Sequence, residues 1–393
     1  MPYFSKASMR SIFPPTDIPW FFFPKTLLVL ATALSATAKK VFIDNDEANT
    51  PTILIPLFAG WEILGVSGSF GSSSYVDSVG SHATILENYS LDSCVPLYGG
   101  ASKPFLRTNE TFHVWEQLYG TLVWEGAWSP YYTDSYTWKD FSYNETLPGA
   151  IAMIEAVKAY KDSDPVTIFA AGTMTTVAQA ISIYPNLVKE AAGLYIMGGY
   201  IDVQYAHAAG SSFQDDLVSD INIIQDPEAA QMVLTADWKK IIIGGNVTNA
   251  ETPSQDLYDE MIERAGGLEE IQESPYLVGV NETVLSGNYT LNSVSTENIL
   301  PFWDSVVSAF MVSPEIITHK TSVALAVDTS FNSPFYGTVR IWSHDRAPTA
   351  YKTGNVTIVD SIDQDKFYDI LVDAYFQNYT NYCTGGNLTE LDY

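Results

Sequence analysis

Between residues 39 and 246, short β-branched runs alternate with segments of helical period, and few folds accommodate that pattern. VFIDND (41–46) leads into TILIPLFAG (52–60), and EILGVSG (62–68) into SYVDSVGSHATILENYS (74–90). VTIFAAG (166–172) is followed by MTTVAQAISIY (174–184), then come GLYIMGG (193–199), DPEAAQMVLTAD (226–237) and KKIIIGGN (239–246). Nearly unbroken apolar strands separated by helices predict an α/β fold: an open, mostly parallel sheet covered by helices on both faces. Nearer the C-terminus SVALAVDTS (322–330), GTVRIWS (337–343) and NVTIVDS (355–361) follow one another before the amphipathic DKFYDILVDAYFQNY (365–379), which predicts an antiparallel C-terminal extension. No repeat or linker divides the chain, so residues 39–393 read as one domain. Two irregular stretches, 124–143 and 200–219, are long enough to be lids or surface insertions.

Residues 1–38 read as a leader. Lys6 and Arg10 precede an apolar run that ends in the small-x-small pattern Ala36-Thr37-Ala38, as in a signal peptide; counted back to Trp20, the run also approaches the length of an uncleaved anchor. Nine Asn-x-Ser/Thr acceptors, at Asn88, Asn109, Asn144, Asn246, Asn281, Asn288, Asn355, Asn378 and Asn387, point to a secreted glycoprotein; Asn246, at the end of an apolar run, is not expected to carry sugar. Cys94 and Cys383 suffice for one disulfide in an oxidising compartment and are equally compatible with two free thiols. A net charge of −27 argues against nucleic acid or an anionic membrane as partner.

Four glycine-containing strand ends, SGSFGSS, FAAGTMTT, YIMGGYID and IIIGGNVT, mark the edge where open α/β sheets form their ligand crevice. None has the spacing of a phosphate-cradling loop, and GVSGS (65–69) lacks the last glycine of a serine nucleophile elbow. The five histidines have no zinc spacing. The polar groups left at these edges are Asp44, Asp46, Thr175, Asp220, Asn222, Asn246 and Asp304, an oxygen-rich set suited to a hard divalent cation or a general base. Asp44 and Asp46 are also ordinary turn and capping residues taken alone.

In order, IDND (43–46), CVPLYGGASKPFLR (94–107), AAGTMTTVAQAI (170–181), IMGG (196–199) and DINIIQDPEAA (220–230) resemble the motif set of the inosine-uridine preferring nucleoside hydrolases. The similarity runs from about residue 39 to the C-terminus, and its last two segments are the most specific. The resemblance implies an α/β crevice holding one Ca2+ and hydrolysis of free nucleosides to base and ribose. It places Asp46 as metal ligand and general base, Asp44 beside it, and Thr175 and Asp304 as further metal ligands. Thr50, Ser72, Met197, Asp220 and Asn222 fall at positions that bind the ribose, and Trp303 at the base, where an indole is similar to the purine-preferring branch. Trp124 or Trp128 could supply a second aromatic face. Family members are commonly oligomeric, so a homo-oligomer is compatible with the resemblance.

The departures are local. Where the family reads DxDxGxDD, this chain has Thr50 and Pro51 for the aspartate pair, Ser72 for a ribose-binding asparagine and Asp220 for a glutamate. Pro51 offers no side-chain oxygen, leaving Glu47 as a candidate substitute. Two expectations follow: a secreted, metal-dependent N-ribohydrolase with a purine lean, or a nucleoside- or sugar-binding protein on the same fold without turnover. A surface glycoprotein with neither property is the remaining reading.

Overall fold

The computed structural model describes residues 38–120, 122, 125–199, 220–274, 277, 280 and 301–391. Residues 1–37 of the leader, Trp124, the stretch 200–219 and the acceptors Asn281 and Asn288 lie outside the described residues.

The first strand, β1 (Lys40–Asn45), is buried along its whole length, and its side chains alternate between two cores. Val41 and Ile43 enter one hydrophobic cluster while Phe42 enters the other. The same alternation runs through β4 (Thr167–Ala171), where Phe169 and Ala171 face one way and Ile168 and Ala170 the other. A strand buried on both faces has no polar side to show, hence its continuous apolar reading. The helices Thr50–Phe58, Trp303–Val312 and Gln364–Tyr375 cover the first face, and Gly149–Tyr160, Thr175–Ile183 and Pro227–Leu234 the second. Each fully buried Ile, Leu or Phe in these layers contributes roughly 1.5–3 kcal/mol of transfer free energy.

With β2 (Glu62–Gly68), β3 (Leu97–Gly99), β5 (Gly193–Ile196) and β6 (Ile241–Ile243), these strands form the parallel part of a nine-stranded sheet. The remaining three are β7 (Ile317–Val327), β8 (Val339–Trp342) and β9 (Gly354–Ile362), and the order is β3-β2-β1-β4-β5-β6-β9-β7-β8. The three late strands form the expected antiparallel extension, with β7 paired antiparallel to both β9 and β8, and β9 joins it to the rest of the sheet by pairing parallel with β6 on its other edge. A two-stranded antiparallel ribbon, β10 (Gln377–Asn378) with β11 (Thr389–Glu390), closes the chain.

Cys94 and Cys383 are joined in a disulfide with Cα atoms 5.3 Å apart, tying the approach to β3 to the C-terminal segment. Among the described residues no helix is long and apolar enough to cross a membrane. The described part of the stretch 124–143 is docked rather than free. Asp77, buried on the helix Tyr75–Asn88, accepts hydrogen bonds from the backbone N–H groups of Ser135 and Tyr136 and from the Tyr132 hydroxyl. Trp138 packs against Tyr75, Phe141 and Tyr143.

Candidate active site

Asp46 leaves the C-terminal end of β1 at the sheet edge, 2 % exposed. Its Oδ2 accepts the Ser72 backbone N–H at 2.8 Å, and its carbonyl accepts that of Ser73 at 3.1 Å. Two glycines let the backbone close around the carboxyl group. A Cβ at Gly172 would lie 2.7 Å from Asp46 Cγ, and one at Gly71 would overlap the carboxylate itself. Burial pushes the Asp46 pKa well above the usual carboxylate range; the Ser72 amide opposes this, and the charges of Asp304, Glu47 and Asp44 reinforce it.

Asp44 lies one pleat back and is fully buried. Its Oδ1 accepts the Ser67 hydroxyl at 2.5 Å, the Thr176 hydroxyl also bonds the carboxyl group, and Oδ2 has no hydrogen-bond partner among the described residues. Burial raises its pKa to about 7. Asp304, in the first turn of the helix Trp303–Val312, accepts Asn45 Nδ2–H at 3.2 Å, and burial and the Glu47 charge raise its pKa well above normal. Asn45 also receives the Glu47 backbone N–H on its own Oδ1, so the residue between the two aspartates braces the acidic floor. Sequence reading passed over it, although its place inside IDND was the available signal.

Thr175 opens the helix Thr175–Ile183, and its hydroxyl donates to Asp226 Oδ2 at 2.7 Å. Asp226 further accepts the N–H groups of Phe105 and Ala229, linking three of the motif segments, and burial raises its pKa to about 6. It too escaped the sequence reading, hidden in the DPEAA segment as a helix cap. At the end of β5, Asn222 donates its side-chain amide to the Met197 carbonyl at 3.2 Å and its backbone N–H to Asp220 Oδ1 at 2.8 Å. The Asn222 Oδ1 is buried with no partner among the described residues. Thr50 is buried at the start of the helix Thr50–Phe58. Trp303 is half-buried, its indole N–H held by Asn249 Oδ1 at 2.8 Å. Trp128, a candidate second aromatic face, is instead packed between Phe70 and Phe112 and only 5 % exposed.

The carboxylates of Asp44, Asp46, Glu47 and Asp304 form no ion pair with Lys, Arg or His among the described residues. Hard oxygen donors, burial without a counter-charge and an orphaned carboxylate oxygen fit a divalent cation such as calcium. Each of the three aspartates has its own anchor, Asp44 at Ser67, Asp46 at Ser72 and Asp304 at Asn45. The one set of three His, Asp or Glu side chains with ligand atoms within 4.8 Å of one another, among the described residues, lies elsewhere: His113, Glu116 and Glu125. There the His113 ring bridges Glu116 and the Trp128 carbonyl, both at 2.9 Å.

Residues 41–369 match the family model for inosine-uridine preferring nucleoside hydrolases. This chain belongs to that family. As a nucleoside hydrolase it is a hydrolase acting on N-glycosyl bonds. Uncharacterized protein C800.11 of Schizosaccharomyces pombe is 40% identical over 363 residues, 92% of this chain and 91% of its own. The pyrimidine-specific ribonucleoside hydrolase RihB of Shigella sonnei is 23% identical over 85% of this chain and 96% of its own. Among solved structures, an inosine-guanosine nucleoside hydrolase superposes with a TM-score of 0.63 at 17% identity, covering 86% of this chain and 98% of that one. A purine-preferring ribonucleoside hydrolase from Gardnerella vaginalis gives 0.60 at 18% identity, covering 88% and 100%. These likenesses establish the same sheet-and-crevice fold for this nucleoside hydrolase.

Proposed function

We propose that this nucleoside hydrolase is a secreted, N-glycosylated enzyme that works with a bound divalent cation, calcium by resemblance, and leans toward purine nucleosides. The observation carrying the reading is Asp46: a buried carboxylate, held by one backbone amide and surrounded by acids without counter-charges.

Cleaving an N-ribosidic bond builds positive charge at the anomeric carbon while water attacks from the face opposite the departing base. Asp46 takes the proton of that water, a role commonly worth about 100-fold or more in rate. Asp44, Asp46, Asp304 and the Thr175 backbone carbonyl would hold the ion, which supplies positive charge to polarise the water. Asp220 and Asn222 orient the ribose hydroxyls with Met197, Thr50 and Ser72 alongside, and the negative floor stabilises the developing charge on the sugar. The half-exposed Trp303 indole, fixed by Asn249, offers a face on which a purine stacks.

The test is release of base from inosine, guanosine and uridine by the mature protein in calcium or in EDTA. No release from any nucleoside under either condition removes the reading. Pro51, which has no oxygen to give the ion, favours the second reading of a binding protein without turnover. Calorimetry showing nucleoside uptake with neither calcium uptake nor hydrolysis would select it.

Removal of residues 1–38 and export of 39–393 complete the proposal. The exposed acceptors Asn109, Asn144, Asn355 and Asn387 are open to sugar, and the Cys94–Cys383 bond suits an oxidising compartment. N-terminal sequencing and deglycosylation of secreted protein test this, and sedimentation tests self-association.

A further inference from the structure

We propose that Tyr132 and Asp77 are positioning residues for Asp46, acting through the turn 71–74; the catalytic part of this claim rests on the function proposed above. The amide that holds Asp46 belongs to a glycine-serine turn outside any helix or strand, so its placement depends on what anchors it. At one end, the Gly71 carbonyl accepts the Ala127 N–H and the Gln225 side-chain amide, both at 3.1 Å. At the other end, the Ser74 N–H donates to the Tyr132 hydroxyl oxygen at 3.0 Å, and that hydroxyl donates to Asp77 Oδ2 at 2.7 Å.

The direction of donation is fixed. Ser74 N–H can only donate, so the phenol offers it a lone pair and passes its single proton to the carboxylate. Asp77 is itself immobilised: 6 % exposed, it also accepts the Ser135 and Tyr136 N–H groups at 2.8 Å, and its own N–H returns to Ser74 Oγ at 3.3 Å. Between the two anchors, Ser72 and Ser73 reach Asp46. The aromatic stretch thereby serves as a brace for the proposed general base.

Tyr136 supplies the matched control. Its hydroxyl accepts Thr84 Oγ1–H at 3.1 Å and its ring packs beside Gly80, with no hydroxyl contact to the turn. The experiment compares wild type, Tyr132→Phe and Tyr136→Phe in full-length mature protein by inosine kinetics, melting temperature and backbone hydrogen exchange over residues 70–74. Tyr132→Phe should speed exchange in that segment and lower kcat about ten- to hundredfold with KM within about twofold, as expected for misplacement of a reacting group. Its melting temperature should match that of Tyr136→Phe, which should leave exchange and kcat unchanged. Unchanged exchange in Tyr132→Phe, or an equal rise in Tyr136→Phe, overturns the proposal, as does an unchanged kcat. If wild type releases no base, the hydrolase reading fails, while exchange alone still decides whether Tyr132 holds the turn.

Discussion

The backbone N–H of Ser72 sits 2.8 Å from Oδ2 of Asp46, the one hydrogen bond among the described residues to a carboxyl group whose other neighbours include three more acids. That amide favours the ionised form against burial and like charge, which is the state a general base needs. Asp46→Asn keeps the volume and removes the base. Nucleoside hydrolysis should fall by a factor of about 100 to 10,000. Circular dichroism should be unchanged, and melting in EDTA should be no lower than wild type, because a neutral amide relieves repulsion. Retained turnover would sink the assignment.

The acidic floor sets a pH dependence of stability. Asp44 titrates at about 7 and Asp226 at about 6 in the folded chain, against roughly 3.9 unfolded. Between those values the folded state binds more protons than the unfolded one, so stability falls as pH rises from about 4 to about 7. Melting in EDTA should therefore occur at a higher temperature at pH 5 than at pH 7.5. On the proposed function, calcium would bind the ionised acids and narrow that gap, with its larger effect at pH 7.5. A melting temperature indifferent to calcium at pH 7.5 would count against the cation.

Gly71 and Gly172 are needed for closeness to Asp46. Gly71→Ala places a methyl group where the carboxylate stands, so either the turn or Asp46 must move. The expected result is loss of most activity together with a destabilisation of about 1–3 kcal/mol, read from denaturant unfolding. Normal kinetics in this variant would contradict the described packing.

Trp303→Ala removes the proposed stacking face while leaving the acids in place. A stacked aromatic pair is worth about 0.5–1.5 kcal/mol, so kcat/KM for inosine should drop up to about tenfold more than kcat/KM for uridine. Equal losses on the two substrates would show that Trp303 does not choose the base.

The Cys94–Cys383 bond closes a separation of 289 residues. Replacing both cysteines by serine should cost roughly 2–5 kcal/mol, seen as a lower urea midpoint, and a reductant should reproduce the shift in the wild type. Equal midpoints with and without reductant would contradict the bond.

The parallel sheet was legible because both cores draw on alternate residues of the same strands: Val41, Phe42 and Ile43 have to be apolar together. The antiparallel pairing of β9 with β7 was legible too, but its parallel join to β6 was not, since NVTIVDS has the same composition whichever way its second neighbour runs. β3 carries no strand signal of its own in the sequence, because three paired residues are too few for a period-2 pattern. At the site, Asp44 and Asp46 were legible as a pair of carboxylates at the end of an apolar strand, and Asp304 as a charge within PFWDSVVSAF. Asn45 and Asp226 were not, because capping and turn residues carry no mark of the buried partners they find hundreds of residues away or across a helix. The bond between Cys94 and Cys383 likewise needed three dimensions.

The place of β9 between β6 and β7 bears on how the chain is made. Residues 354–362 leave the ribosome after β1 to β8, yet they take an interior place in the sheet rather than its rim. Until they arrive, the nascent polypeptide carries an unclosed seam along β6, with bare N–H and C=O groups inviting misplaced strands. The edge of β6 therefore gains its neighbour only after β7 and β8 have been made, and a chain stopped upstream of residue 354 would leave that edge bare.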